Sequence, residues 1–172
     1  MPDPLDPVPG PDAPFTGIIK TRKRKRVDEE VPFPAGLTVI QDFEFKKKDT
    51  ATYEKERAAF DSICDKWLKG LVKDEKTVEM LKAAGLTQAD IDAMKKGNRP
   101  DGYQVHHKLA LDDGGTNATS NFVLIQNDPY HMAITGLHKT ECHDLKPGES
   151  TTLDWPMPDG IIYPPAPPAP PA

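Results

Sequence analysis

Cysteine and tryptophan are scarce in this 172-residue chain, two of each, and aromatics make up only 7% of it. Cys64 and Cys142 lie far apart and without CxxC spacing. Free thiols of an intracellular protein are the simpler reading of the pair, and a disulfide is the other. No apolar run approaches the roughly 18 residues of a membrane span. The N-terminus opens on proline and aspartate and lacks the apolar stretch of a signal peptide. Basic residues are sparse where chemistry is densest: residues 99–172 hold four Lys/Arg against nine Asp/Glu. That balance argues against tight phosphate-backbone binding by this segment alone and favours a cation there.

Proline is abundant: 19 in all, eight of them within the first 34 residues. A second group forms the run Pro164–Pro171. Such stretches lack the apolar side chains that offset the entropy of ordering. The packable part is therefore expected at residues 33–155, enough for a modest core. Near the N-terminus, Arg22-Lys23-Arg24-Lys25-Arg26 is the only dense basic run. It reads as a nucleic-acid arm or import signal, or as a solvated face balanced by Asp28-Glu29-Glu30.

Between these ends the periodicity is helical first and extended later. Leu37–Phe45 alternates loosely and suggests a strand. From Thr50 to Val72, Tyr53, Phe60, Cys64, Trp67, Leu68 and Leu71 recur at three- and four-residue steps, one apolar stripe on a helix that Asp49 or Thr50 caps. A second helix spans Asp74–Ala84 and stops at Gly85. Thr87-Gln88-Ala89-Asp90 resembles a capping box, opening a helix that ends at Lys95-Lys96-Gly97. Then Gln104–Leu111 alternates as a strand and Asp112–Ala118 is turn-rich, with Gly114-Gly115 as turn residues. Phe122–Ile125 is a short apolar strand. Asp128 and Pro129 suit the N-cap and first position of a final helix. The order is strand, loop, strand, helix.

Four of the five histidines fall on that unit: His106 and His107 at the end of its first strand, His131 and His138 on its helix. Neighbouring strand residues point to opposite faces, so His106 and His107 do not both ligate one ion easily. One is expected to ligate and the other to face a reacting group. An imidazole near its ordinary pKa of about 6.5 is a suitable general base at neutral pH. His138 lies seven residues after His131, about 10.5 Å along a straight helix. Two nitrogens on one metal must approach far closer, given metal–nitrogen distances of ~2.0–2.1 Å. His138 can join His131 on one ion only if the helix breaks, for instance near Gly136; otherwise it contacts phosphate, or supports a ligand or the structure. His143 falls outside the unit and is read as incidental.

Val105-His106-His107, Gly114-Gly115-Thr116-Asn117, Ser120-Asn121-Phe122-Val123-Leu124-Ile125 and His131 together resemble the HNH endonuclease superfamily, the ββα-metal fold. The resemblance covers roughly residues 99–140, and the stretch from Leu86 also looks like the nuclease toxin domains at the C-termini of bacterial polymorphic and secreted effectors. It implies His106 and His131 as metal ligands, with His138 a lesser candidate, and His107 as the base. Asn121 would hold the loop or the base. It implies one divalent cation, Mg²⁺ or Mn²⁺ for two histidines and open water positions, Zn²⁺ or Ni²⁺ for three. It also implies DNA as substrate, RNA being the alternative. A cognate immunity protein is the implied partner, and the implied setting is secretion or delivery into the cytoplasm of a target cell, otherwise the cytoplasm. DNA affinity would then draw on the metal, on Lys66, Lys69, Lys73, Lys95 and Lys96, and on the 22–26 basic run. A metal-stabilised binding module without catalysis, its proline-rich ends engaging partners, is the competing reading.

The expected architecture is α+β: a proline-rich, basic linker (1–34), a mainly helical region (35–98), the ββα-metal motif (99–145), and a proline-rich C-terminal tail (146–172). The helical part is expected to pack on the motif, with both proline-rich ends disordered.

Overall fold

A computed structural model describes residues 18–22 and 28–166. The strands are β1 (Ile18–Arg22), β2 (Asp28–Pro32), β3 (Leu37–Lys46), β4 (Tyr103–His107), β5 (Phe122–Gln126), β6 (Ser150–Pro158) and β7 (Ile162–Tyr163). The helices are α1 (Thr50–Leu71), α2 (Glu75–Ala83), α3 (Gln88–Lys95) and α4 (Met132–Cys142). The chain is thus mixed α+β, with four helices and small sheets among the described residues.

The helical part forms as its caps dictate. Asp49 accepts from the Thr52 amide, Asp74 from the Thr77 amide, and Thr87 and Asp90 cap each other reciprocally. The α1 stripe buries Phe60, Cys64 and Leu68. With Leu81, Leu86, Ile91 and Met94 they form one core on one face of the β4–β5–β7 sheet.

That sheet is the centre of the molecule. β4 and β5 are antiparallel, pairing His106 with Val123 and His107 with Phe122, and β7 joins β5 in parallel. Phe122 and Leu124 enter the helical core, while Val123 and Ile125 enter a second core on the opposite face. Burial on both faces explains why β5 reads as an unbroken apolar run instead of an alternating strand.

The second core rests on a pairing between distant segments. β3 and β6 are antiparallel, from Leu37 opposite Pro158 to Lys46 opposite Ser150. A bulge between Ile40 and Phe43 interrupts the register. There Asp42 adopts φ 51, and its amide donates to Asp154 Oδ1 at 3.0 Å. Phe45 and Trp155 are fully buried in this core.

Several expectations are corrected. Residues 146–166 are not a proline-rich tail: they form β6 and β7, whose Trp155 and Tyr163 are fully buried. Trp155 Nε1 donates to the Lys108 carbonyl at 2.6 Å, and the Tyr163 hydroxyl to that of Pro34 at 2.6 Å. Residues 150–163 are tied down because their aromatics find a core and their polar atoms find carbonyls. Within the 1–34 linker, β1 and β2 pair as a hairpin. Lys23 to Arg26 and the last six residues lie outside the described residues. The strand expected over Gln104–Leu111 ends at His107, because the chain turns into a 3-10 segment at Leu111–Asp113. Both cysteines are free and buried. Among the described residues, no helix is long and apolar enough to cross a membrane.

Candidate metal and hydrolytic site

One cavity of about 300 Å³ gathers His106, His107, His131 and His138 in its wall. It opens between the end of β4, the start of α4 and the N-terminal half of α1.

His106 and His107 diverge as strand alternation requires. The ring of His106 meets that of His131 at 5.3 Å between centroids, nearly perpendicular. His106 Nε2 is buried and has no hydrogen-bond partner. Burial first, then the neighbouring imidazoles, pushes the His106 pKa down to about 3. This ring is therefore neutral, with a nitrogen aimed at nothing. His131 Nδ1 lies 3.2 Å from Asn127 Oδ1, an acceptor, so the proton belongs on Nδ1, and the Nε2 lone pair meets only the Thr135 hydroxyl, at 3.5 Å. Burial lowers the His131 pKa as well. The pair has donor chemistry suited to a divalent cation: a neutral imidazole with an orphaned nitrogen lies edge-on beside a second neutral imidazole.

His107 takes the other face, between Phe60 at 4.5 Å and Phe122 at 5.3 Å. Its Nε2 lies 3.0 Å from Asn117 Oδ1, and Asn117 Nδ2 donates to the Glu56 carbonyl at 2.8 Å. That second bond fixes the amide orientation, so Asn117 Oδ1 accepts from His107 Nε2–H. In the neutral ring the lone pair then sits on Nδ1. Burial lowers the His107 pKa, and the bond to Asn117 partly opposes that. The outcome is an imidazole of fixed tautomer, uncharged at neutral pH.

The expected role of Asn121 divides. Its Oδ1 accepts from the Leu109 amide at 2.9 Å, and its Nδ2 donates to the Leu109 and Thr116 carbonyls. Asn121 clasps the loop, and Asn117 is the residue that holds His107. The loop's glycines serve the same closure. Gly114 takes φ 101, and a Cβ on Gly115 would meet the Leu109 carbonyl at 1.9 Å. Lys48 bridges from the end of β3 to Glu56 and to the Gly115 carbonyl.

Two expectations about the final helix change. Regular α4 begins only at Met132; Asn127–His131 forms a wide turn in which Asp128 is extended and no side chain caps it. The helix then runs unbroken through Gly136, so His138 stays a turn beyond Thr135. His138 Nε2 instead meets Asp113 Oδ2 at 2.5 Å. Cys142 stands one turn further along, and ligand atoms of Asp113, His138 and Cys142 all lie within 4.8 Å of one another. This largely buried group can hold a metal ion.

Sequence reasoning missed three further residues. Asn117 was legible only as part of a loop motif. Arg57 and Arg99 also line the cavity, Arg57 over the Phe60 ring at 5.3 Å. Arg99 keeps a buried Nε without a partner. A signal for Arg57 did exist: it interrupts the apolar stripe between Tyr53 and Phe60. The five lysines expected to supply affinity are exposed on α1, on α3 and beyond them, and none lines this cavity.

A curated relative, the uncharacterized protein YhhZ of Escherichia coli (strain K12), is 42% identical over 133 residues. The match covers 76% of this chain and 32% of the relative, so the chain spans about a third of the length of the curated relative it matches. No protein-family model matches the chain, and no solved structure matches it.

Proposed function

We propose that the chain is a metal-dependent endonuclease of the HNH type that hydrolyses phosphodiester bonds in DNA. The observation that carries this reading is the division of labour across β4: His106 offers an orphaned nitrogen beside His131, while Asn117 fixes the His107 tautomer on the other face. The strand–loop–strand–helix order of β4, β5 and α4 suits the ββα-metal arrangement.

The roles follow from atoms. His106 Nε2 and His131 Nε2 would hold the cation, with Thr135 Oγ1, 3.5 Å from His131 Nε2, facing the same space. A divalent ion there supplies Lewis-acid stabilisation of charge on the phosphate and the leaving oxygen. His107 Nδ1 accepts the proton of the attacking water. Arg57 and Arg99 offer guanidinium donors to phosphate oxygens, which eases the shortage of basic residues noted in the sequence. Likeness of the stretch from Leu86 through Asn117 to effector toxin domains extends the proposal to an antibacterial role, checked by an immunity protein. A match confined to about a third of a longer relative suits a module carried on larger chains.

The test is incubation with supercoiled plasmid, and separately with structured RNA, in Mg²⁺, Mn²⁺, Zn²⁺, Ni²⁺ or EDTA. Nicking of plasmid with Mg²⁺ or Mn²⁺ and silence in EDTA are expected. His107→Ala should reduce the rate at least about 100-fold with metal binding and fold retained. Asn117→Ala should reduce kcat about 10-fold or more while metal affinity stays unchanged. Cleavage of RNA alone moves the substrate, full activity in His107→Ala removes the base, and inertness with every ion removes the enzyme.

A further inference from the structure

The second histidine group shares a cavity wall with the pair just described but uses other ligands and is built differently. His138 and Cys142 are four residues apart on an unbroken α4, so they share one face a turn apart. Asp113 reaches them from the 3-10 segment that follows β4. Its carboxylate is almost wholly buried, at 2% exposure for the residue. Oδ2 meets His138 Nε2, but Oδ1 is buried with no hydrogen-bond partner. A carboxylate oxygen left without a donor in the interior is costly, and a cation is one partner that removes the cost. Apolar walls surround the group: Phe45 and Trp155 lie 6.0 and 6.1 Å from the His138 ring. The nearby Lys47 ammonium is already paired with Asp112, at 2.5 Å.

We propose that Asp113, His138 and Cys142 form a second cation site, distinct from His106 and His131, that takes a borderline-soft metal such as Zn²⁺. One thiolate sulfur, one imidazole nitrogen and one carboxylate oxygen are the donor types zinc prefers, and they leave a fourth tetrahedral position to water. Mg²⁺ and Ca²⁺, which need oxygen ligands, are poorly served by this set. Binding releases the Cys142 thiol proton to solvent, moves the proton that His138 Nε2 donates to Asp113 off that nitrogen, and forms the metal–sulfur and metal–nitrogen bonds, with no change of oxidation state. Closing the site ties α4 to the loop that carries Asn117, the residue that orients His107. The proposal does not depend on the chain being a nuclease.

The test is titration of the metal-free full chain with Co²⁺, a spectroscopic stand-in for zinc. A sulfur-to-cobalt charge-transfer band in the near ultraviolet is expected, with intense tetrahedral d–d bands displaced by Zn²⁺. The band should persist in Cys64→Ser and in the His106→Ala/His131→Ala double variant, and vanish in Cys142→Ser. Zinc K-edge absorption of the wild-type chain should show one sulfur neighbour at about 2.3 Å. Absence of the charge-transfer band from the wild-type chain overturns the site, whatever the variants do. Persistence of the band in Cys142→Ser, or its loss in Cys64→Ser, overturns the assignment. Nuclease activity is not read, so failure here is separable from failure of the enzymatic proposal.

Discussion

The two faces of the central sheet are built by different means. The helical face is contiguous: α1, α2 and α3 follow one another, each with its own cap and stripe, and close over Phe122 and Leu124. The opposite face joins segments far apart in the chain, with Ile40 paired to Trp155 and α4 packed between. His107 belongs to the first face and His106 to the second. The candidate site therefore straddles a boundary between locally and distantly encoded structure. The base can be held by helix and loop alone, but the ligand pair depends on α4, which packs on the non-local core.

The largest effect should come from removing the non-local face. A chain ending at residue 145 lacks β6 and β7, and with them Trp155, Ile162 and Tyr163. Such a chain is expected to lose its cooperative thermal transition and its near-ultraviolet circular dichroism. A truncated chain that still melted cooperatively would make the helical face self-sufficient and return residues 146–172 to the status of a tail. Within the intact chain, Trp155→Ala should cost about 3–5 kcal/mol in denaturant unfolding. It opens a large cavity and leaves the Lys108 carbonyl without its donor. A cost below about 1 kcal/mol would show that the β3–β6 pairing contributes little.

The same contrast decides what the sequence could reveal. Caps and three-to-four periodicity are local, so α1, α2 and α3 were legible to within a residue or two. The turn chemistry of Gly114-Gly115 and the short apolar run of β5 were legible for similar reasons. β6 was not: Ser150–Pro158 carries three prolines around it and little apolar alternation, and its pairing depends on β3 more than a hundred residues earlier. At the site, His106, His107, His131 and His138 could be nominated from spacing, because strand alternation and helix rise are fixed geometry. Their partners could not. Asn117 against His107 and Asp113 against His138 are choices that tertiary packing makes, whereas Cys142 one turn beyond His138 is local helix geometry.

Acidification should load both faces next, and the second more heavily. In the metal-free chain the folded-state pKa of His106 lies at about 3, below its ordinary 6.5. Between those values the unfolded chain binds a proton that the folded chain does not, so stability falls as pH drops from about 6.5 toward 3. His107 and His131 shift in the same direction and add to the slope. Loss of a few kcal/mol across that window is expected, read from urea midpoints in EDTA at several pH values. His106→Asn should shallow the dependence. An unchanged slope in that variant would mean that the ring is reached by solvent and is not held neutral by burial.

The smallest effects test the local rules themselves. Asp49 caps α1 through the Thr52 amide and hydroxyl, and Thr87 and Asp90 cap α3 reciprocally. Asp49→Ala and Thr87→Ala should each cost about 1 kcal/mol, because each leaves a first-turn amide without its acceptor. Asp128 looks in sequence like the same kind of residue, an aspartate followed by proline before a helix. In the structure it is exposed and extended ahead of a wide turn, and no side chain caps the start of α4. Asp128→Ala should therefore change stability by less than about 0.5 kcal/mol. A cost equal to that of Asp49→Ala would mean that α4 begins as the local rule says, and that His131 sits on a capped first turn instead of at the end of a wide one.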